Sequence, residues 1–563
     1  MVSFALHFNE RVEPEEIDHK KIQRALKAKE DGDVSDSAYH ELKMVAGSSL
    51  PSLYGIQKER KAQNAIIPIT EFEGNAKGCS RSIKDILSYS SDVIGNAGGN
   101  VITLRFSGDG RKTTKKLGSV MTTFCFPAEN SVKRSPEREY CISIYDGKES
   151  YDILKATLRG VFDEMKALGR TGILVNGLEY TIDWVMCADW KFMACILGIN
   201  GPCALYFCIW CECSKRMIRD FSIPQWPITR TLNQCRARVG CPNAKGVQCL
   251  PLVDIEFTKV IPDTLHLKLR IMGKLLNQVA CWAIEQNVKK AMEEAIEALG
   301  VRFCFYDVQD DSGKTTTKWS SLDCDDLETI IRGLDIHAFL GDMENKSITS
   351  LDCLTKAQLV EECRKFHLRS TGTKDFLRAT LKDHLDRNNI VFEPSSTPTC
   401  EKTVLSISEL TQVWKSLMVL TDALGANPGD EAYLRADAFQ EKARQWGTKF
   451  RKATFDEDVI PYIHVLVYHV PQFLEIHGTI HQFNCQTVEK KNHMQNKTFH
   501  RGSQKGGKNS NYTVQSRVIL GCTKLELIEQ CMSNQPQFLI LGAKNGKLFS
   551  CYLTTVGVPS IHG

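Results

Sequence analysis

Four strand patterns and one helical pattern between residues 101 and 189 most constrain the fold of this chain. The strand patterns are rich in β-branched and aromatic residues and lie at 101–110, 119–126, 139–147 and 180–189. An amphipathic helical pattern occupies 149–169, between the third strand and the fourth. Three strands, a helix and a further strand predict a mixed α/β sheet.

Composition excludes several classes of protein. Of the 563 residues, 42% are hydrophobic and 25% are charged, which excludes disordered and fibrous chains. The length predicts several domains, or one core with large insertions. The formal net charge of +4 excludes a histone-like basic protein, so a nucleic-acid partner would have to bind local basic patches.

Residues 192–211 contain no charged side chain and imitate a membrane span. The turn residues Asn200-Gly201-Pro202 interrupt this stretch, which predicts two buried segments around a turn and no membrane partner. The first residues show no signal-peptide pattern, and 22 cysteines are too few for a small disulfide scaffold. We therefore expect a reduced intracellular compartment, where close cysteine pairs are more often metal ligands.

Two aspartates end strand patterns. Asp109 lies in the sequence SGDG after the first strand, and Asp189 ends the fourth. The carboxyl ends of strands form the ligand-binding edge of an α/β sheet, and a few carboxylates can hold two divalent cations for phosphoryl transfer. The alternative is structural, because SGDG is also favourable for a turn.

A Cys-x-x-Cys and a distant pair of histidines could share a metal. Cys208 and Cys211 offer two soft ligands, and His464 and His469 could complete a tetrahedral Cys₂His₂ zinc site. Spacing alone leaves other cysteine pairs open, namely Cys211/Cys213 and Cys241/Cys249. The alternative for the histidines is a pair on a buried apolar helix, with locally satisfied ring nitrogens.

A basic segment surrounds Glu489. Its cationic residues are Lys490, Lys491, Lys497, Arg501, Lys505 and Lys508. Such a run suits a phosphate backbone, and an acidic residue within it could hold a metal ion next to DNA. An ordinary solvated helix is the alternative.

Residues 351–385 predict two short amphipathic helices joined by a turn that contains glycine. The predicted core positions are Leu359, Cys363, Phe376, Leu377, Leu381 and Leu385. The pattern resembles a SAP module, a small DNA-binding helical hairpin whose basic residues would face phosphates. Those residues are Lys356, Lys365, Arg369, Lys374 and Arg378. A hairpin that is simply part of a larger helical insertion is the alternative.

In their order and spacing, these features resemble the catalytic core of the RAG-type V(D)J recombinase and the related Transib transposases. The family's first aspartate lies in a D-G pair, matched by Asp109, and its second precedes a Cys-x-x-Cys by about twenty residues, matched by Asp189. Its H-x₄-H-V-P motif is matched from His464 to Pro471. Its final glutamate begins an E-x-x-N run, matched by Glu489, twenty positions after His469.

The resemblance covers about residues 100 to 510 and also includes the stretch 260–275, which contains His266. It implies an RNase H-like core interrupted by a large, mainly helical, zinc-containing insertion. Two Mg²⁺ or Mn²⁺ ions would be bound by Asp109, Asp189 and Glu489, and a structural Zn²⁺ by the Cys₂His₂ set. Such an enzyme nicks double-stranded DNA beside a terminal repeat, and the freed 3′-hydroxyl attacks the opposite strand to form a hairpin. The implied setting is the nucleus, with a homodimer that cuts two DNA ends and an accessory subunit as a further partner.

The expected organisation has six parts. These are a helical N-terminal region at 1–95 for DNA binding or dimerisation, the first part of the catalytic core at 96–200, a zinc-binding helical insertion at 201–470, a SAP-like hairpin inside it at 349–390, the final catalytic helix at 471–515, and a C-terminal tail at 516–563. The segment 393–399 is rich in Pro, Ser and Thr and is predicted to be a linker.

The sequence also departs from the family. We find no RING-type zinc motif and no basic arm that would read a terminal repeat, and the SAP-like segment is foreign to the recombinase. An alternative function is therefore a catalytically inactive, domesticated DNA- or chromatin-binding protein. A third is a metal nuclease of the same fold that nicks DNA without strand transfer.

Overall fold

The computed structural model describes residues 14–32, 34–72, 77–90, 94, 99–112, 118–128, 135–309, 313, 315–340, 356–388, 390, 407–453, 459–497, 518–519, 539–541 and 549–551. The chain divides into two compact units. The first comprises Met1–Glu212, Ile228–Asp263 and His481–Gly563, and the second comprises Cys213–Pro227 and Thr264–Ile480. The predicted linker at 393–399 lies outside the described residues.

A seven-stranded mixed sheet is the main feature of the first unit. Its strands are β1 (Ile69–Glu71), β2 (Gly78–Arg81), β3 (Val101–Lys112), β4 (Gly118–Cys125), β5 (Tyr140–Asp146), β6 (Ile173–Val175) and β7 (Leu178–Met186). They are ordered β1-β2-β5-β4-β3-β7-β6. Neighbouring strands are antiparallel except for β3 and β7, which are parallel. The four predicted strands are therefore confirmed as part of a mixed α/β sheet.

The predicted acidic turn at Asp109 is wrong. β3 runs on to Lys112, and Asp109 is paired with Met121 of β4. Neither Gly108 nor Gly110 has a positive φ angle, so neither is needed for a turn. Both instead allow side chains from other segments to pack closely against the strand. A Cβ at the first glycine would overlap the ring of Phe192, and a Cβ at the second would overlap the carboxylate of Glu149.

Helices α5 (Tyr151–Thr157), α6 (Arg159–Thr171) and α7 (Trp190–Leu197) follow the strands of this sheet. The helix predicted at 149–169 is therefore two helices, joined at Leu158. Phe106 of β3 contacts Phe162 of α6 and Phe192 of α7 through their rings. Because strand side chains alternate, these contacts place the even-numbered positions of β3 against α6 and α7.

The stretch at 192–211 is not a single apolar helix. α7 ends at Leu197, and Gly198 caps it in the left-handed conformation, with φ 65°. No helix in the described part of the chain is both long and apolar enough to span a bilayer.

The N-terminal part of the first unit is helical, as predicted, with α1 (Pro14–Asp31), α2 (Asp36–Ala46), α3 (Leu53–Ile66) and α4 (Ile83–Tyr89). Leu26, Tyr39 and Ile56 form a small core among the first three helices. Helix α8 (Leu232–Arg238) comes later in this unit.

The second unit is mainly helical. Its helices are α9 (Thr264–Glu285), α10 (Lys289–Glu297), α11 (Cys324–Gly333), α12 (His337–Leu340), α13 (Lys356–Lys365), α14 (Lys374–Arg387), α15 (Ile407–Gly425), α16 (Ala436–Ala453), α17 (Pro461–His464) and α18 (Val470–His477), with a π-helix at Val465–His469. Helices α9 and α10 are separated at Asn287, whose positive φ of 57° no α-helix accommodates. Strands β8 (Phe305–Gln309) and β9 (Thr315–Trp319) form a β-hairpin, which is followed by α11.

Helices α13 and α14 form the helical pair predicted from the SAP-like pattern. Their shared core comprises Leu359, Cys363, Leu377, Leu381 and Leu385. Phe376 is 41% exposed, so its predicted core position is wrong. It lies beneath the Arg369 guanidinium, 5.0 Å from its ring centroid, in a cation–π contact.

Candidate active site and metal-binding group

Helix α19 (Gln486–Lys497) packs on the odd-numbered positions of β3. A buried ion pair fixes its start. Arg105, which is fully buried, donates to the carbonyl oxygens of Phe483, at 3.1 Å, and of Asn484, and it is paired with Glu139. Thr487 Oγ1 of α19 donates to the same carboxylate at 2.7 Å. Sheet and helix thus share one charged network.

Asp109 is tied to α19 further along β3. The side-chain amide of Asn492 donates to Asp109 Oδ2. Arg111, two residues on, contacts the Asn492 carbonyl and lies 3.2 Å from its Oδ1 and 3.3 Å from Gln495 Oε1. Glu489, which is half-buried, is one helical turn before Asn492 on the same helix. The structure therefore brings the helix that carries Glu489 against the strand that carries Asp109.

Asp189 follows β7, the parallel neighbour of β3. The parallel register pairs Val101 with Thr181 and continues to Phe106 with Met186, and each aspartate is three residues beyond that last pair. The predicted strand end at Asp189 is corrected, because β7 ends at Met186. Asp189 is the N-cap of α7, and its Oδ1 accepts from the Phe192 amide at 2.6 Å. This cap fixes the side chain at the edge of the sheet.

Glu149 is a further carboxylate at this edge that sequence reasoning missed. Its side chain is 3% exposed. Among the described residues its Oε1 has no hydrogen-bond partner, and Lys191 Nζ lies 3.5 Å from it. Burial and the nearby charge of Asp189 raise the pKa of Glu149 to about 7, although Lys191 and the Gly110 amide favour its charged form. No spacing in the sequence points to Glu149. The one available signal was the glycine at 110, which leaves room for its carboxylate.

Asp109, Asp189 and Glu489 do not form a closed ligand set within the described residues. Among the described residues, two groups of three or more His, Cys, Asp or Glu ligand atoms lie within 4.8 Å of one another, and neither contains Asp109, Asp189 or Glu489. Their roles as catalytic and Mg²⁺- or Mn²⁺-binding residues stay predictions.

One of those groups is the predicted Cys₂His₂ set. Cys208, Cys211, His464 and His469 are all buried, and their ligand atoms lie within 4.8 Å of one another. The alternatives Cys213, Cys241 and Cys249 are not in the group. This set could hold a metal such as zinc.

The Cys-x-x-Cys loop is held by a buried arginine. Arg230 Nε donates to the carbonyl oxygens of Cys208, at 3.2 Å, and Cys211, at 3.1 Å. Trp210, between the two cysteines, donates its indole N–H to the Val260 carbonyl at 2.7 Å. The loop is therefore shaped by partners that the spacing of the cysteines did not reveal.

The histidines are brought together by the π-helix Val465–His469. In an α-helix, residues five apart point in different directions, whereas the wider i→i+5 turn of a π-helix puts them on one face. His464 Nε2 and His469 Nε2 lie 3.2 Å apart. Two nitrogen ligands of a tetrahedral zinc ion are about 3.3 Å apart, so the spacing fits that ion.

The predicted DNA-binding residues are distributed unevenly. In α19, Lys490 is exposed, whereas Lys491 is only 1% exposed and does not share that open face. Lys497 is the last residue of this helix, and Arg501, Lys505 and Lys508 lie outside the described residues. In the SAP-like hairpin, Lys356 is exposed, Lys374 and Arg378 are half-buried, and Arg378 is paired with Asp375 at 3.2 Å. DNA binding by these residues stays a prediction.

No protein-family model matches the chain, and no curated protein matches it.

Proposed function

We propose that the chain is a RAG- or Transib-like DDE transposase or recombinase that cuts double-stranded DNA by metal-dependent phosphoryl transfer. The observation that carries this proposal is that Asp109 and Asp189 each lie three residues beyond the last parallel pair of β3 and β7, Asp109 within β3 and Asp189 as the N-cap of α7. The helix of Glu489 packs against β3. The strand order β5-β4-β3-β7, antiparallel except for its last pair, supports an RNase H-like core. The motif order in the sequence agrees with both.

The residues at this edge fit a divalent cation. Glu149 Oε1 is buried beside the charge of Asp189, and no residue that the structure describes forms a hydrogen bond with it. A hard cation would relieve both the burial and the repulsion, because carboxylate oxygens are its preferred ligands. When bound, such ions supply Lewis-acid stabilisation of the charge that develops on the transferred phosphate.

The protein's own part is to hold the carboxylates. The Phe192 amide donates to Oδ1 of Asp189 and orients this carboxylate, whose Oδ2 is the ligand atom in this proposal. The Asn492 amide orients Asp109, and the Arg105 network sets the start of the helix that carries Glu489. Holding these groups before DNA arrives reduces the reorganisation that the reaction requires.

The Cys₂His₂ set has a structural role in this proposal. Four protein ligands fill a tetrahedral zinc ion and leave no position for a substrate. The proposal also includes a nuclear location, a homodimer that cuts two DNA ends, and an accessory subunit.

A cleavage assay tests the proposal. Supercoiled and linear DNA are incubated with the chain and Mg²⁺ or Mn²⁺, and nicks, hairpins and joined products are quantified. Asp189→Asn keeps the helix cap but removes the charge, and we expect cleavage to fall at least about a hundredfold. Asp183→Asn on the same strand is the matched control and should cleave normally. Equal cleavage by the native chain and Asp189→Asn would place the activity elsewhere.

A non-catalytic DNA- or chromatin-binding protein is the second candidate. The observation that favours it is the separate core of the α13–α14 hairpin, which carries exposed Lys356 and half-buried Lys374. Tight, salt-dependent DNA binding without cleavage under either metal, and with a candidate accessory subunit added, would favour this function. Nicks without hairpins or joined products would indicate a nuclease that does not transfer strands.

A further inference from the structure

We call the edge of the sheet that carries Asp109, Glu149 and Asp189 the carboxylate edge. The first unit also contains a second group of buried ligands. Cys187, Asp263 and Cys485 each have a ligand atom within 4.8 Å of the other two. Their exposed fractions are 0%, 5% and 2%. They come from three segments far apart in sequence: the residue after β7, the residue before α9, and the residue before α19. Their convergence is therefore a property of the fold and not of a local motif.

The distances suit a tetrahedral metal ion. The two sulfur atoms lie 3.9 Å apart, and two thiolates on one tetrahedral zinc ion are about 3.8 Å apart. Asp263 Oδ1 accepts from the Cys485 amide at 2.9 Å, so the carboxylate is already held beside one sulfur. The Ser107 hydroxyl lies 3.8 Å from Cys485 Sγ.

The donor set separates this group from the carboxylate edge. Two thiolates and one carboxylate select a thiophilic ion such as Zn²⁺, whereas Mg²⁺ prefers oxygen ligands alone. Three anionic ligands around a divalent ion leave one negative charge. Buried Arg105, whose electrostatic interaction reaches both thiols, can partly offset that charge.

We propose that Cys187, Asp263 and Cys485 form a second zinc site, separate from the Cys₂His₂ set. The bound ion would tie together the residue two positions before Asp189 and the residue four positions before Glu489. The proposal goes beyond the proposed function and does not depend on it, because it concerns metal content in the absence of DNA. A pair of hydrogen-bonded thiols, with Cys485 Sγ donating to the Cys187 carbonyl at 3.4 Å, is the competing state.

Zinc content of the full chain tests the proposal. The chain is expressed with added zinc and desalted in excess Mg²⁺, which displaces zinc from the carboxylate edge, and metal is then quantified by mass spectrometry. We expect two zinc ions per chain, one after Cys485→Ala or Cys187→Ala, and one after Cys208→Ala. Cys79→Ala, another fully buried cysteine, is the matched control and should keep both. One zinc per native chain, unaffected by Cys187→Ala and Cys485→Ala, would overturn the proposal.

Two measurements keep the test valid if a cysteine variant misfolds. Asp263→Asn preserves an acceptor for the Cys485 amide but loses the charged ligand, and we expect at least tenfold faster loss of one zinc to a chelator. Cobalt titration of the native metal-free chain gives thiolate charge-transfer absorption, to which carboxylate-bound cobalt contributes nothing. Binding of two equivalents of cobalt, with the absorption of four thiolates, supports the site. Saturation at one equivalent with the absorption of two thiolates excludes it, as does a disulfide between Cys187 and Cys485.

Discussion

The Cys₂His₂ set and the carboxylate edge differ in how close their ligand atoms lie to one another. The four ligand atoms of the Cys₂His₂ set lie within 4.8 Å of one another, whereas Asp109, Asp189 and Glu489 belong to no such group within the described residues. Thiols and imidazoles are neutral and can touch without an ion. Carboxylates repel one another and need either a cation or a protein partner for each.

At the carboxylate edge, three carboxylates each have a hydrogen-bond or ion-pair partner in the protein. Asp109 accepts from Asn492, Asp189 accepts from the Phe192 amide, and Glu149 has the Gly110 amide and Lys191. A closed ligand set is typical of a structural metal, and an open carboxylate edge is typical of a catalytic one. We therefore predict that metal removal from the Cys₂His₂ set destabilises the protein. Metal removal from the carboxylate edge should abolish the proposed DNA cleavage.

The largest effect is expected at the Cys₂His₂ set. Cys208→Ala removes one of four ligands, and binding energy at a structural zinc site is also folding energy. We expect the free energy of unfolding to fall by more than about 5 kcal/mol, with loss of one zinc per chain. Denaturant titration together with metal analysis measures both quantities.

Cys213→Ala is the matched control for that experiment. It removes a buried thiol two residues from Cys211 but outside the ligand group. It should keep the zinc that Cys208→Ala loses. If both variants lose metal and stability equally, the loss reflects general disruption of the loop, and the contrast between the two regions disappears.

The next effect concerns the network under the carboxylate edge. Arg105→Met leaves Glu139 buried and unpaired, which costs about 3–5 kcal/mol of unfolding free energy. The double variant Arg105→Met/Glu139→Gln removes the stranded charge and should recover most of that loss. Denaturant titration of both variants, with cleavage measured in parallel, checks this. Equal instability of the single and the double variant would mean that the ion pair itself is not what fixes α19.

The strands and the zinc ligands could be predicted because their signals are local. Alternating β-branched and aromatic residues identify β3 and β7, and Cys-x-x-Cys with His-x₄-His identifies a Cys₂His₂ set. Even there, the spacing of His464 and His469 works only because the intervening residues form a π-helix. The sequence contains no pattern that distinguishes such a segment from an α-helix.

The sequence-based predictions fail where tertiary contacts determine the local conformation or bring ligands together. SGDG favours a turn locally, yet Asp109 is in an extended strand because β4 pairs with it and because Phe192 and Glu149 need the space beside the glycines. Glu149 belongs to no sequence motif, and the stretch around His266 does not mark Asp263 as a ligand. Only the folded chain brings each of them beside other ligands.

Glu149 gives a prediction of intermediate size. Burial and Asp189 raise its pKa to about 7 from an ordinary 4.5, and its charge also acts on Tyr145 and Cys195. Between these two values the folded state binds more protons than the unfolded state, so stability falls as pH rises. We expect a loss of up to about 3 kcal/mol between pH 4.5 and pH 8, which Glu149→Gln should remove.

Unfolding midpoints from pH 4 to pH 8, with and without Mg²⁺, measure this effect. At pH 8, Mg²⁺ should restore stability to the native chain but not to Glu149→Gln. Glu179→Gln, which removes an exposed carboxylate from β7, is the control and should keep the native profile. A native profile that Glu149→Gln does not flatten would remove this carboxylate from the electrostatics of the edge.

The smallest expected loss of stability is that of Asn492→Ala. This variant tests whether the orientation of Asp109 affects cleavage independently of folding. Asn492→Ala deletes one hydrogen bond to that carboxylate and one contact with Arg111, which costs about 1 kcal/mol. Gln495→Ala, one turn later, removes a different Arg111 contact and should cost a similar amount. If the edge is catalytic, only Asn492→Ala should also reduce the maximal cleavage rate, by about tenfold, and raise the Mg²⁺ concentration needed for half-maximal cleavage. Equal cleavage by the two variants would mean that Asp109 needs no protein partner, and that repulsion between carboxylates does not explain why this region is more open than the Cys₂His₂ set.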